Sequence, residues 1–185
     1  MAKKEITNDE FFMEVYRLKN LNRYVNWNRV KDETVAEHSY FVVLFTDIIC
    51  TELDVCQSVR TKALRMGMIH DLPEIELSDI PHPVKAKNKD LKMVLNELEI
   101  DFMEHYFENV LYKDYLIEYN CMDTPESLIV QMADILSVLQ YCISEKQLGN
   151  KTMQGIYKDT VKRAELINDK IESVFGKRVK KFGKF

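Results

Sequence analysis

Leu128-Ile129-Val130-Gln131-Met132-Ala133-Asp134-Ile135-Leu136-Ser137-Val138-Leu139 is apolar on nearly every side. The stretch opens at Pro125, a favoured first-turn residue, and runs to Gly149, which predicts one long helix. Asp134 interrupts it, with no lysine or arginine within four residues on either side. Burying an unpaired carboxylate is costly even after relaxation, so a cation from elsewhere in the fold must meet it. An arginine would serve; a metal shared with other side chains would serve more completely.

Two other stretches offer such side chains. His70-Asp71 ends an apolar helix expected over Val55 to Asp71, with Val59, Ala63, Met66 and Ile69 on one side and Leu72-Pro73 discouraging further turns. Taken alone, a histidine there has an ordinary explanation as a cation at the negative end of a helix. Thr34-Val35-Ala36-Glu37 matches a capping box, with Thr34 as N-cap and Glu37 as its reciprocal partner. His38 then falls in the first turn, where the helix dipole favours the neutral imidazole that binds metal. A core or capping histidine is the plainer reading of His38 by itself. Together His38, His70, Asp71 and Asp134 suit a mid-series divalent ion such as Co, Mn, Zn, Fe or Ni, with Mg at an additional site, and leave positions open for water and a substrate oxygen.

The rest of the chain reads as helix. Periodic apolar positions run from Asn8 through Phe11, Phe12, Val15 and Leu18; from Thr34 through Val42, Val43, Phe45, Ile48 and Ile49; from Lys89 to Val110; and from Asn150 to Gly176. No segment alternates as a strand does. The expectation is an all-α fold, a single domain over residues 1–185 with about six main helices, and a basic, solvated tail over 177–185. Two segments break the pattern. Residues 20–33 are rich in asparagine, arginine and aromatics, and residues 78–88 contain Pro81 and Pro83. Irregular segments on a rigid frame are where sites are built.

Bulk properties exclude some classes. The chain has 185 residues, 46% hydrophobic and 30% charged, with a net charge of −4 that argues against non-specific nucleic-acid binding. Cys50, Cys56, Cys121 and Cys142 form no CxxC pair, which suits reduced thiols in the cytoplasm. No uninterrupted apolar run is long enough to suggest a membrane span. His105, flanked by Glu104 and Glu108, reads as a surface residue, and His82, set between prolines, is ambiguous.

His38, His70-Asp71 and Asp134, on separate helices, resemble the H…HD…D pattern of HD-domain phosphohydrolases. Within that superfamily the context is similar to the YfbR-type 5′-deoxynucleotidases. Leu18-Lys19-Asn20-Leu21-Asn22-Arg23 resembles their N-terminal segment ending in Arg-Trp. Glu33-Thr34-Val35-Ala36-Glu37-His38-Ser39 resembles Glu-x-Val-x-Glu-His-Ser. His70-Asp71-Leu72-Pro73-Glu74, with Asp79-Ile80-Pro81-His82-Pro83-Val84-Lys85, resembles HDxxE…GDLPTPVK. The likeness spans residues 11–145.

The resemblance implies an HD-domain helical bundle with metal ligation by His38, His70, Asp71 and Asp134. It implies that Glu74 handles the proton of the attacking water and that Arg23 orients the phosphate, a task suited to a forked cation. Asp79 would touch the sugar, with Ile80, Pro81, His82 and Lys85 completing the substrate-binding loop. Tyr24 stands where the nucleotidases carry tryptophan, which bears on their preference for 2′-deoxy sugars; Trp27 offers a substitute surface. The expected activity is removal of the 5′-phosphate from (deoxy)nucleoside monophosphates, by a cytoplasmic homodimer. The alternatives are a dNTP triphosphohydrolase and a non-catalytic nucleotide-binding regulator.

Overall fold

The computed structural model describes residues 8–80, 84, 88–107 and 110–180. Among these no strand forms, and the only extended pairing is an isolated antiparallel bridge between Asn22 and Thr34. Helix α1 (Asn8–Tyr16) runs into a 3-10 turn, Arg17–Asn20. Thr34 then starts α2 (Val35–Leu53) by the expected reciprocal cap. Its Oγ1 accepts the Glu37 N–H at 3.1 Å, and Glu37 Oε2 accepts the Thr34 N–H at 2.8 Å. Asp54, left-handed at φ 57°, ends α2, and α3 (Gln57–Ile69) follows. Short α4 (Glu74–Leu77) leads by way of Ser78, also left-handed, into the segment before α5 (Lys89–Tyr106). Helix α6 covers Val110–Cys121, α7 Pro125–Gln147 and α8 Gln154–Phe175, the last closed by left-handed Gly176.

Helix α7 is the centre. Its length and composition alone would let it cross a membrane, but α2, α3, α6 and α8 all pack against it. It is a core helix, with Ile129, Val130, Met132, Ala133, Ile135 and Leu139 buried on successive faces. The all-α expectation holds, with seven helices of nine or more residues among the described ones. The addition is α6: the helix expected from Lys89 to Val110 stops at Tyr106 because Phe107 turns extended, and a new helix begins.

The C-terminal segment also differs from the solvated end expected of it, as far as Lys180. Arg178 is gripped by the carboxylates of Glu165, Asp169 and Glu172. Asn168 pairs its amide with the backbone of Val179 in both directions, at 2.9 and 3.1 Å, and the Val179 side chain is buried.

Residues 20–33 are irregular yet firmly held. The carboxylate of Glu145, buried near the end of α7, accepts the Val30 and Lys31 N–H groups, each at 2.8 Å, and the Asn150 amide at 2.6 Å. Burial would raise the Glu145 pKa, but these donors outweigh it and hold the group ionised. Asn150 and Thr152 both donate to the Asn28 carbonyl at 2.8 Å, and the Tyr141 hydroxyl donates to that of Lys31 at 2.8 Å. The loop that carries Arg23 and Tyr24 is thereby strapped to the far end of the helix that carries Asp134.

Candidate metal centre and active site

His38 enters from the first turn of α2, His70 and Asp71 from the end of α3, and Asp134 from the middle of α7. One nitrogen of each imidazole and one oxygen of Asp71 lie within 4.8 Å of one another. His38 Nε2 is 3.4 Å from Asp71 Oδ2 and 3.3 Å from Asp134 Oδ1, and His70 Nε2 is 3.1 Å from Asp71 Oδ2. Both imidazoles are buried.

Both imidazoles are held from behind. His70 Nδ1 lies 2.8 Å from the Gly67 carbonyl oxygen, which can only accept, so Nδ1 carries the hydrogen and the neutral ring presents a lone pair at Nε2. His38 Nδ1 lies 3.0 Å from Ser137 Oγ, one turn along α7 from Asp134. Gly67 is where α3 meets α2 and α7. A Cβ there would lie 3.4 Å from Thr46 Oγ1 and 3.8 Å from the Val42 and Val130 methyls.

Neither Nε2 atom makes a hydrogen bond, although each is buried and faces carboxylate oxygen. The His70 lone pair directed at the anionic oxygen of Asp71 is repelled unless a cation lies between them. A divalent ion among His38, His70 and Asp71 would satisfy these atoms, with Asp134 bordering the group through His38. The donor set and its geometry therefore fit a metal ion.

Electrostatics agrees. Burial opposes ionisation of Asp71 and Asp134, but His70 beside the first and His38 beside the second hold both carboxylates well below their usual range. Burial, with Arg23 nearby, pushes the His38 pKa down. Burial also acts against His70, yet Asp71 prevails and its pKa is raised. The Tyr119 hydroxyl, on α6, donates to Asp134 Oδ2 at 3.4 Å, and its ring meets His70 edge-on.

Arg23 stands at the edge of this group. The negative fields of Asp71 and Asp134 both reach it, and its side chain is 11% exposed. Tyr24 takes a left-handed backbone conformation, φ 57°. Its N–H reaches Asp79 Oδ2 at 3.4 Å, which joins the two sequence-predicted substrate segments. The ring packed on Tyr24 is that of Tyr141, parallel at 4.6 Å between centroids. Trp27 instead sits in the turn after Tyr24, 38% exposed.

Glu74 opens α4 directly after Pro73, whose helical φ of −60° continues the chain into the new turn. Its N–H donates to the Asp71 carbonyl at 3.1 Å, so the backbone sets it one turn beyond the HD pair. Ile80 is half-buried; Pro81, His82 and Lys85 lie outside the described residues. Sequence reasoning missed Ser137, Gly67, Tyr119, Glu33, Tyr141 and Glu145. Of these only Glu33, quoted within the motif before His38, had a visible signal.

The chain is similar to known proteins over most of its length. Residues 10–181 match the YfbR-like 5′-deoxynucleotidase family. A 5′-deoxynucleotidase of Enterobacter sp. strain 638 is 26% identical over 155 residues, covering 78% of this chain and 77% of its own. Among solved structures, an HD-domain phosphohydrolase from Listeria innocua superposes with a TM-score of 0.69 at 22% identity, over 90% of this chain and 85% of its own. The cyanophage S-2L HD phosphohydrolase, bound to dA and one catalytic Zn2+ ion, superposes with a TM-score of 0.59 at 17% identity, over 96% and 90%. With two imidazoles and two carboxylates gathered on an HD-type helical frame and nearly the whole chain matched, the protein belongs to the YfbR-like 5′-deoxynucleotidase family of HD-domain phosphohydrolases.

Proposed function

We propose that this chain removes the 5′-phosphate from (deoxy)nucleoside monophosphates, releasing nucleoside and orthophosphate. The ion would be a mid-series divalent metal, Co or Mn, held by His38, His70, Asp71 and Asp134. The observation that carries the reading is the pair of unpartnered Nε2 atoms facing Asp71 and Asp134, with Arg23 at the edge of the same group.

A divalent ion there supplies Lewis acidity and lowers the pKa of water in its shell. The side chains do the rest. Arg23 neutralises charge on the phosphoryl oxygens, Glu74 accepts a proton from the attacking water, and Asp79, anchored at the Tyr24 N–H, meets the sugar. Tyr24, stacked on Tyr141, walls the sugar side in place of tryptophan.

One forked cation suits one phosphate. The test is a panel of nucleoside mono-, di- and triphosphates with Co or Mn, following orthophosphate, triphosphate and nucleoside. Orthophosphate from a deoxynucleoside monophosphate is expected at the highest kcat/KM. Intact triphosphate released from a dNTP at a higher kcat/KM would defeat the reading.

The homodimer belongs to the same proposal. Tyr40, Phe41, Leu44 and Ile48 lie at helical spacing along α2 and are all exposed, an apolar stripe of the kind that marks an interface. Sedimentation of the native protein is expected to give twice the 21.9 kDa chain mass, and Leu44→Glu one chain mass. A native monomer at tens of micromolar, a working range for such association, removes the dimer. The unbridged thiols of Cys50, Cys56, Cys121 and Cys142 support a cytoplasmic location, which cell fractionation checks.

A further inference from the structure

Arg23 is held at two levels by one residue. The chain at 21–23 runs antiparallel to the residues that start α2: the Val35 N–H donates to the Leu21 carbonyl and the Arg23 N–H to the Glu33 carbonyl, each at 2.8 Å. The side chains then repeat the pairing, Arg23 Nη1 donating to Glu33 Oε2 at 3.1 Å, with only 11% and 12% of the two side chains exposed. The guanidinium is therefore paired with Glu33 while it also feels the fields of Asp71 and Asp134. A phosphate that reaches Arg23 meets a cation already shared with a buried carboxylate.

We propose that Glu33 is a positioning residue for the phosphate, aiming Arg23 at the substrate and giving up its negative charge, by taking up a proton, when the phosphate arrives. The inference rests on the reading of Arg23 as the phosphate clamp. Two anions sharing one buried cation repel each other, and the system relieves this by neutralising the more basic one. Burial pushes the Glu33 carboxyl up, against the pull of Arg23, to about 7. The groups facing it are Arg23 and Tyr24 from its own loop, Glu37 from α2, and Asp134, Tyr141 and Cys142 from α7. Tyr24, Tyr141 and Cys142 are raised further from neutrality and Asp134 is held ionised, so none of these four changes charge between pH 6 and 8. Glu37 is bound into the α2 cap.

The direction follows. Below about 7 Glu33 is protonated and Arg23 is free for phosphate; above it the carboxylate competes, so substrate affinity falls as pH rises. The test is kcat and KM across pH 5.5 to 8.5 for the metal-loaded native protein, Glu33→Gln and Arg23→Ala, a range spanning the phosphate ester's own ionisation near 6. The ester titrates identically in every variant, so the comparison isolates Glu33. Relative to Glu33→Gln, native KM is expected to climb through neutrality, approaching about tenfold per pH unit above the inflection, with kcat moved far less. The same KM inflection in Glu33→Gln overturns the proposal. An Arg23→Ala variant with unchanged kcat/KM overturns the clamp reading instead.

A second measurement covers a variant that fails to fold. Calorimetric titration of the native metal-loaded protein with inorganic phosphate at pH 8.5, where phosphate is already the dianion and Glu33 is ionised, in buffers of different ionisation enthalpy, is expected to report net proton uptake. Zero uptake, or release, overturns the proposal.

Discussion

Asp134→Ala is expected to take phosphate release to background and to abolish the response of the thermal midpoint to added Co or Mn. The carboxylate is the sole contribution of α7 to the proposed ligand set, and it lies 3.3 Å from His38 Nε2. Without it, three ligands remain and the two imidazoles face one anion instead of two. Binding to the folded state alone stabilises by RT ln(1 + [L]/Kd), about 4 kcal/mol when the ion is at a thousand times Kd. Chelating the native protein should therefore lower its midpoint by several degrees and stop turnover, and Co or Mn should restore both. The variant should show neither response. It should also melt below the chelated native protein, since the Tyr119 hydroxyl loses its acceptor within the core. Full activity in native protein shown by elemental analysis to be metal-free would sink the central claim. So would Asp134→Ala that binds the ion with native stoichiometry.

The legibility of Asp134 in the sequence had a physical basis, and so did the illegibility of what surrounds it. A carboxylate in an apolar helix with no local cation must be met from elsewhere, and the fold brings it to His38 across the α2–α7 contact, beside the group that would hold a metal ion. Capping is equally local: Thr34, Pro125 and Gly176 mark helix ends in the sequence and mark them in the fold. Helix α6 carried no such punctuation. Its apolar residues do not keep to one stripe: Ile117 lies on the face opposite Tyr112, Tyr115 and Tyr119. It is nonetheless the helix that brings a hydroxyl to Asp134 and a ring edge to His70.

The supports of the site were invisible for other reasons. Gly67 acts through a backbone carbonyl, which every residue possesses. Glu145 looks like any acid near a helix end, yet it binds backbone 114 and 115 residues earlier in the chain. Tyr141 reaches Tyr24 only because that strap holds the loop against α7. Ligands announce themselves by chemical type. Their supports depend on contacts between remote segments, and those exist only once the chain has folded.

Glu74→Gln separates chemistry from binding. The amide keeps the size and hydrogen-bonding reach of the carboxylate but cannot accept a proton at neutral pH. Glu74 begins α4 one turn beyond Asp71, with the Pro73 ring fixing the approach. Its backbone is thus placed by the same chain segment that places two proposed ligands. If Glu74 receives the proton of the attacking water, kcat in the variant should fall by about 10²-fold or more, as losses of a general base do. Metal content and KM should stay close to native, because neither depends on that proton. Glu74→Asp supplies the contrast: it keeps the carboxylate and loses only reach, so it should be impaired less than the amide. An unchanged kcat in Glu74→Gln removes this residue from the mechanism. Loss of the metal in that variant would make Glu74 a fifth ligand rather than a base.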